Sequence, residues 1–355
     1  MKVAFIGPPL SGKSTLFRAA TGSTPVNHPG MGEHLAVIKV PDTRLDWLFA
    51  HYKPKKKVEA TIDCLDVPGF SHETAQQQTE FRKSLPSIRK CDALVAVVRA
   101  FDNPAVPAYR NRVDARADLD ELMAELIFCD LETVATRIER LEKSLKKPTK
   151  THEQEKRELE LMQRCQAALE NEQPITSAIK SEEEGKMLSS FAFLTEMPLV
   201  AVINVDADRA AEQPPFACPH ARATIALCAD MEEQIAELDP ADRTAFLADL
   251  GVTDPARDRL IRACYDAVGL VSFLTAGGDD EARAWSIPRE STAVDAAGKI
   301  HSDIARGFIR AETVAFEDLK AAGDMKAAKA AGKVRLEGKS YIVQDGDIIT
   351  FRFNV

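Results

Sequence analysis

The spacing of hydrophobic positions changes several times along this chain, and each change marks a change of element. Short apolar runs at Val3–Ile6, Thr61–Leu65 and Ala93–Val98 are separated by polar or helix-like stretches. Two more runs follow downstream, Leu199–Val205 and Ala223–Leu227. Apolar runs spaced by helices predict a parallel sheet wrapped by helices.

Between these runs the spacing shifts to fours and threes at Ile127, Leu131, Val134, Ile138, Leu141 and Leu145. That is a heptad seam. A break at Lys147-Pro148-Thr149-Lys150 precedes a second helical stretch, from about Glu153 to Glu170, with Leu159, Met162 and Leu169 on one face. The pattern predicts a helical hairpin inserted into the α/β domain; two ordinary packed helices are the plainer alternative. From about Gly269 the texture turns to alternation, with turns at Asp279-Asp280, Glu337-Gly338 and Asp345-Gly346. Val334–Leu336, Ser340–Val343 and Ile348–Phe353 read as strands of a small β-rich terminal domain. The expected boundaries are residues 1–115 and 196–268 for the α/β domain, 116–195 for the helical insertion and 269–355 for the terminal domain.

Composition narrows the class. The 355 residues are 45% hydrophobic and 28% charged, an ordinary soluble balance that accommodates two or three domains. A formal net charge of −9 means that any nucleic-acid surface must be a local patch. No apolar stretch approaches a membrane span, and the run after Met1 is too short for a signal peptide. Seven singly scattered cysteines read as reduced thiols, and a cytoplasmic location is expected.

The chemistry begins in the first turn after the first strand. Gly7-Pro8-Pro9-Leu10-Ser11-Gly12-Lys13-Ser14-Thr15 matches G-x-x-x-x-G-K-[ST]. Its glycines let backbone N–H groups curl around phosphates, Lys13 reaches the β- and γ-phosphates, and the Ser14 hydroxyl can ligate Mg²⁺. The following helix turns its positive end toward the anion. A strand before and a helix after are the context such a loop requires. Asp66-Val67-Pro68-Gly69 then ends a strand. A carboxylate there supports Mg²⁺, and the Gly69 N–H can sense a γ-phosphate. GTPases of the Ras type carry a water-orienting Gln just after this glycine. Here the residue is Phe70, which cannot orient water.

A third segment bears on the base. The strand Leu199–Ile203 runs into Asn204-Val205-Asp206-Ala207-Asp208. Guanine-specific P-loop proteins carry N-K-x-D at this place, where the Asp accepts the N1–H and N2–H₂ donors of guanine. Ala207 stands at the fourth position, so that acceptor is missing and strong guanine preference is not expected. Asn204 can still contact a purine edge. Asp206 or Asp208 could substitute only if the loop slips by one residue, and the strand end up to Ala229 could complete the pocket through backbone groups. The plainer reading is an Asn-Asp turn unrelated to a base.

Taken together, the chain resembles the YchF / Obg-like ATPase family of P-loop proteins. The P-loop, the D-x-x-G, Leu94–Phe101, the helical insertion and Asn204 come in that family's order. The tail carries the most specific matches, among them Ala282-Arg283-Ala284-Trp285, Gly307-Phe308-Ile309-Arg310-Ala311-Glu312 and Tyr341-Ile342-Val343-Gln344-Asp345-Gly346-Asp347. The resemblance covers nearly the whole chain. It implies a nucleotide domain, a coiled-coil insertion and a terminal TGS domain of ubiquitin-like β-grasp fold. It also implies Mg²⁺-dependent ATP binding, slow ATP hydrolysis and association with ribosomes or RNA, with no membrane and no DNA sequence specificity. The nucleotide contacts it implies are Gly7, Leu10, Ser11, Gly12, Lys13, Ser14, Thr15, Gly69, Asn204 and Val205, with Ser14 and Asp66 at the metal.

The chain also departs from that pattern. The family's N-x-x-E ends here in Ala207, and the adenine contact of its second residue falls on Val205, largely through backbone. The switch I threonine has no counterpart in Gly30-Met31-Gly32-Glu33, and Phe70–Gln78 lacks the glycines of switch II. The histidine used in hydrolysis would fall near Ala108, beside Tyr109, so no catalytic residue is assigned. ATP binding with slow or impaired turnover is the leading expectation. A nucleotide-gated scaffold without turnover is the alternative, and a small-molecule kinase is disfavoured by the D-x-x-G and the tail.

Other groups carry blander readings. His72 is a loop histidine, although it could orient water. Cys218, His220 and Cys228 lack a fourth zinc ligand. Lys53-Pro54-Lys55-Lys56-Lys57 reads as a solvated loop, and Lys146, Lys147 and Lys150 as a basic hairpin tip that could meet RNA.

Overall fold

The computed structural model describes residues 1–22, 26–27, 33–71, 73–146, 151–210, 212–239, 242–243, 246–247, 255–276 and 280–354. The chain divides into two compact units, residues 1–36 with 63–257 and residues 37–62 with 258–355. These units are cut differently from the boundaries expected from sequence. Residues 37–62 fall with the C-terminal unit, which begins again at 258 rather than 269.

The first unit is built on a largely parallel sheet. Its strands are β1 (Lys2–Ile6), β2 (Val26–Asn27), β3 (His34–Lys39), β5 (Thr61–Asp66), β6 (Ala93–Arg99), β7 (Leu199–Asn204) and β8 (Ala223–Leu227), with residues 37–39 and 61–62 of β3 and β5 counted in the second unit. Among the described residues they run in the order β2-β3-β5-β1-β6-β7-β8. β1 pairs in parallel with both β5 and β6, and β6, β7 and β8 follow in parallel register, with Val97 opposite Val202 and Ile203 opposite Ala226. Every residue of β6 and β7 is buried. A parallel strand covered on both faces needs such an unbroken apolar run, which is why these two were legible.

Four helices matter for the site. α1 (Lys13–Thr21) starts directly from the phosphate loop and ends at Gly22, whose φ of 61° suits the left-handed turn that closes it. α3 (Ala75–Ile88) is capped by Thr74, whose hydroxyl accepts from Gln77 N at 3.2 Å. α4 (Ala115–Leu145) is a single helix of 31 residues, begun by the Asp114 carboxylate accepting from Ala117 N. α7 (Ala229–Glu237) follows β8, after the short α6 (Glu182–Leu188).

α4 belongs to two cores at once. Leu119, Leu122, Leu126 and Cys129 pack with the sheet's Leu94, Ala96 and Ala201. Val134, Ile138 and Leu141 pack instead with Leu161, Met162, Cys165 and Leu169 of α5 (His152–Glu170). The expected hairpin is therefore present, but its first helix starts well before the heptad seam. On α5 the buried stripe runs through Leu161 and Cys165, while Leu159, expected on that face, is only partly buried. The changeover lies at Asp130, which is fully buried. Its carboxylate accepts from Leu194 N at 3.0 Å, Thr195 N at 2.8 Å and Arg89 Nη2 at 3.2 Å. Arg89, just beyond α3, also donates to Ala192 O at 2.7 Å.

In the second unit α2 (Thr43–Tyr52) and β4 (Lys56–Val58) join β9 (Leu270–Thr275), β10 (Glu281–Pro288), β11 (Phe308–Ala315), β12 (Arg335–Glu337) and β13 (Asp347–Phe353). The sheet order is β12-β11-β13-β9-β10-β4. The last strand, β13, lies parallel to β9 in the middle; β11 pairs antiparallel with β13, and β10 antiparallel with β9. This is the β-grasp arrangement. Three details correct the sequence reading. Ser340–Val343 is irregular and joins the rest through a single bridge, Ile342 to Thr292, because the Asp347 carboxylate draws in Tyr341 OH and Gln344 N. Phe316–Ala322 and Met325–Ala330 are helical, within the domain read as β-rich. Lys56-Lys57 lie in a strand paired with β10 rather than in a loop, and Lys55 and Lys57 are ion-paired with Asp280 and Asp46. The Asp279 turn, His72, Gly30–Gly32 and the hairpin tip at 147–150 lie outside the described residues.

Candidate nucleotide-binding site

The phosphate loop is shaped by three close approaches. Gly7 has φ 153°, and a Cβ there would lie 2.2 Å from Val97 O. Gly12 has φ 86°, and a Cβ there would strike Asn204 Nδ2 at 2.1 Å. A Cβ on Gly69 would meet Pro9 N at 2.8 Å, so the D-x-x-G segment lies directly on the loop. Phe70 N donates to Gly7 O at 2.9 Å and fixes that contact. Leu10 takes a left-handed φ of 59° with an exposed side chain.

Lys13, Ser14 and Asp66 converge at the end of β5. Lys13 Nζ donates to Asp66 Oδ1 and to Val67 O, with lysine and aspartate both buried. Ser14 Oγ donates to Asp66 Oδ2 at 2.7 Å. A hydroxyl and a carboxylate are the hard oxygen donors that Mg²⁺ takes together with phosphate oxygens and water. Ser11 is almost fully buried, and among the described residues its Oγ has no hydrogen-bond partner. An orphaned hydroxyl inside a glycine cradle fits a loop built to receive an anion. The residues present therefore suit a Mg²⁺-bound phosphate chain. Ser14 and Asp66 would hold the metal, and the Lys13 ammonium would offset phosphate charge.

Beside the loop lies a cavity of about 440 Å³. Leu10, Gly12 and Thr15 line one side, Asn204, Val205 and Ala207 another. The structure thus brings together most of the residues singled out from sequence. Asn204 acts as a clamp: Nδ2 donates to Ser11 O at 3.0 Å, and Oδ1 accepts from Ala229 N at 2.9 Å at the start of α7. Asp206 lines the cavity, but its carboxylate accepts from Asp102 N at 3.3 Å. Asp208 is not among the lining residues.

The loop after β6 was missed by sequence reasoning. Phe101, Asp102, Asn103 and Val106 form a further wall of the cavity. The available signal was positional: in open α/β sheets, ligands sit outside the carboxyl ends of the strands, and β6 ends at Arg99. Cys228 also lines the cavity, and burial pushes its thiol up, so it stays protonated. Among the described residues no group of three or more His, Cys, Asp or Glu is placed to hold a metal, and Cys218–His220–Cys228 is no exception.

Phe70, after the D-x-x-G, and Tyr109 are both packed into the fold. Phe70 is fully buried, its ring edge-on to Phe81 at 5.4 Å. Tyr109 is buried and its hydroxyl donates to Glu121 at 2.9 Å.

Comparison with known proteins agrees along the whole chain. A family model described as a 50S ribosome-binding GTPase matches residues 2–132, and the YchF-GTPase C-terminal model, described as a protein of unknown function, matches residues 270–354. The ribosome-binding ATPase YchF of Bacillus subtilis is 39% identical, with all of both chains covered. Obg-like ATPase 1 of Oryza sativa subsp. japonica is 36% identical over all of this chain and 92% of its own. The solved YchF GTPase of Schizosaccharomyces pombe superposes with a TM-score of 0.84 at 29% identity, covering 99% of this chain and 97% of its own. With fold, phosphate loop and full-length similarity in accord, this chain belongs to the YchF / Obg-like ATPase family.

Proposed function

We propose that this protein binds a purine nucleotide with Mg²⁺, prefers ATP over GTP, hydrolyses it slowly and works in the cytoplasm on the ribosome. The observation that carries this reading is the convergence of Lys13, Ser14 and Asp66 on a glycine cradle beside a base-sized cavity. Gly7, Leu10, Ser11, Gly12, Thr15 and Gly69 shape the phosphate site, Lys13 supplies charge, and Ser14 and Asp66 serve the metal. Asn204 and Val205 border the base. Mg²⁺, when bound, neutralises the phosphate oxygens. To engage phosphate, the Lys13 ammonium must exchange its bonds to Asp66 and Val67.

ATP preference rests on the fourth position of the base turn. Ala207 offers no acceptor for guanine N1–H and N2–H₂, and the nearby Asp206 is committed to Asp102 N. A site that lacks the partner for a base's donors gives up discrimination in its favour. The names of the relatives differ here, ATPase for the curated ones and GTPase for the solved structure, so the base must be tested directly. Slow turnover follows from a buried Phe70 where a water-orienting side chain would stand. The same observation favours the second reading, a nucleotide-gated ribosome-binding scaffold without turnover.

The ribosome enters through the printed names of the curated relatives, which call them ribosome-binding. The helical insertion at 116–195 and the TGS-like region at 269–355 are the modules we assign to partner contact.

Calorimetric titration with Mg²⁺-ATP and Mg²⁺-GTP tests the proposal. Tighter ATP binding supports it. Equal affinities remove the ATP preference, and absence of binding removes the nucleotide site.

A further inference from the structure

We propose that Arg99 is the positioning residue of the base-binding wall, holding the 101–107 loop in the shape that closes the cavity. This rests on the nucleotide reading above. Arg99 ends β6 opposite Asn204 in the sheet and is only 4% exposed. A buried guanidinium needs several acceptors to remain there. Among the described residues no carboxylate pairs with it. Its acceptors are all backbone carbonyls of the loop that follows. Nε donates to Phe101 O at 3.1 Å, Nη1 to Val106 O at 3.0 Å and Pro107 O at 3.1 Å, and Nη2 to Asn103 O at 3.3 Å. Its Cζ lies over the Phe101 ring, 4.3 Å from the centroid.

These bonds gather both ends of the loop onto one rigid fork. Within the loop Asn103 adds a tight turn, its side chain accepting from Ala105 N and its carbonyl from Val106 N. Phe101, Asn103 and Val106, each bonded to or stacked on Arg99, all face the cavity. Arg99 itself is not among the lining residues, so it acts through them. A lysine cannot replace it, because one ammonium cannot span carbonyls that a planar five-donor group reaches in fixed directions.

The test separates base from phosphates. Wild type, Arg99→Lys and Arg99→Met are titrated with Mg²⁺-ATP and with Mg²⁺-tripolyphosphate, which lacks the base. The expected result is ATP binding weakened about tenfold or more in Arg99→Met, with partial recovery in Arg99→Lys and tripolyphosphate affinity within about twofold. Amide hydrogen exchange should rise across 101–107 in both variants and stay unchanged across 7–15. A merely structural role would weaken both ligands alike. If Arg99→Met does not fold, Arg99→Lys carries the same comparison. Equal losses for both ligands, or unchanged ATP affinity, overturn the assignment of Arg99. A wild type that binds neither ligand overturns the nucleotide reading and this proposal with it.

Discussion

The ammonium of Lys13 and the carboxylate of Asp66, 53 residues apart in sequence, neutralise each other where lysine is 6% and aspartate 2% exposed. Removing one member leaves the other buried and uncompensated. Lys13→Ala should therefore abolish nucleotide binding and lower stability by about 3 kcal/mol. Calorimetry and denaturant unfolding read the two effects. Unchanged affinity would sink the site assignment.

Ala207 is exposed and borders the cavity in a short turn after Asn204. Ala207→Asp restores the missing acceptor without disturbing the core. GTP affinity should rise about tenfold relative to ATP, within the range a hydrogen-bonded base contact provides. Competition between the two nucleotides measures this, and an unaltered ratio would place the base elsewhere.

Phe70→Gln mimics the water-orienting residue of other P-loop GTPases, yet it should not accelerate hydrolysis. The ring is fully buried against Phe81, so the change removes apolar packing and buries an amide in its place. A loss of about 3 kcal/mol is expected. Single-turnover assays and unfolding curves check both statements; a faster, equally stable variant would refute them.

Asp118 provides a pH signature. Burial holds its carboxyl up at about 6, with Arg112 opposing and Glu121 and Asp114 reinforcing the shift. The folded state thus binds a proton more tightly than the unfolded chain, whose aspartates titrate near 4. Stability is lost as pH rises from about 4 to about 6, and the penalty persists above that. Asp118→Asn should gain about 1–2 kcal/mol at pH 7.5 and lose that advantage by pH 4. Melting temperatures across this range decide it, and a pH-independent difference would contradict the linkage.

How much of this was legible in sequence depended on the source of each signal. β6 and β7 announced themselves because strands buried on both faces favour apolar runs, here broken only at their last residues, Arg99 and Asn204. Lys13, Ser14 and Asp66 were legible because phosphate chemistry fixes residue types at fixed spacing. The wall at 101–107 was not, because backbone carbonyls hold it to Arg99 and carbonyls carry no sequence signature. Asn204 is legible as a cavity residue, but the bonds by which its amide joins Ser11 to Ala229 are not, because they exist only once β7 and the loop are side by side. The heptad marks only the second half of α4, because its first half packs with the sheet.

That division of α4 gives the molecule a lever. A helix of 31 residues is about 46 Å long, and roughly half of it extends past Asp130. Asp130 and Arg89 form the fulcrum, tying the helix to the end of α3 and to residues 192–195. Tilting the root by about 10° would sweep the far end through about 4 Å, given some 24 Å of rigid arm. A small displacement at the root is magnified at the hairpin's far end, because the stiffness of one uninterrupted helix supplies the gain.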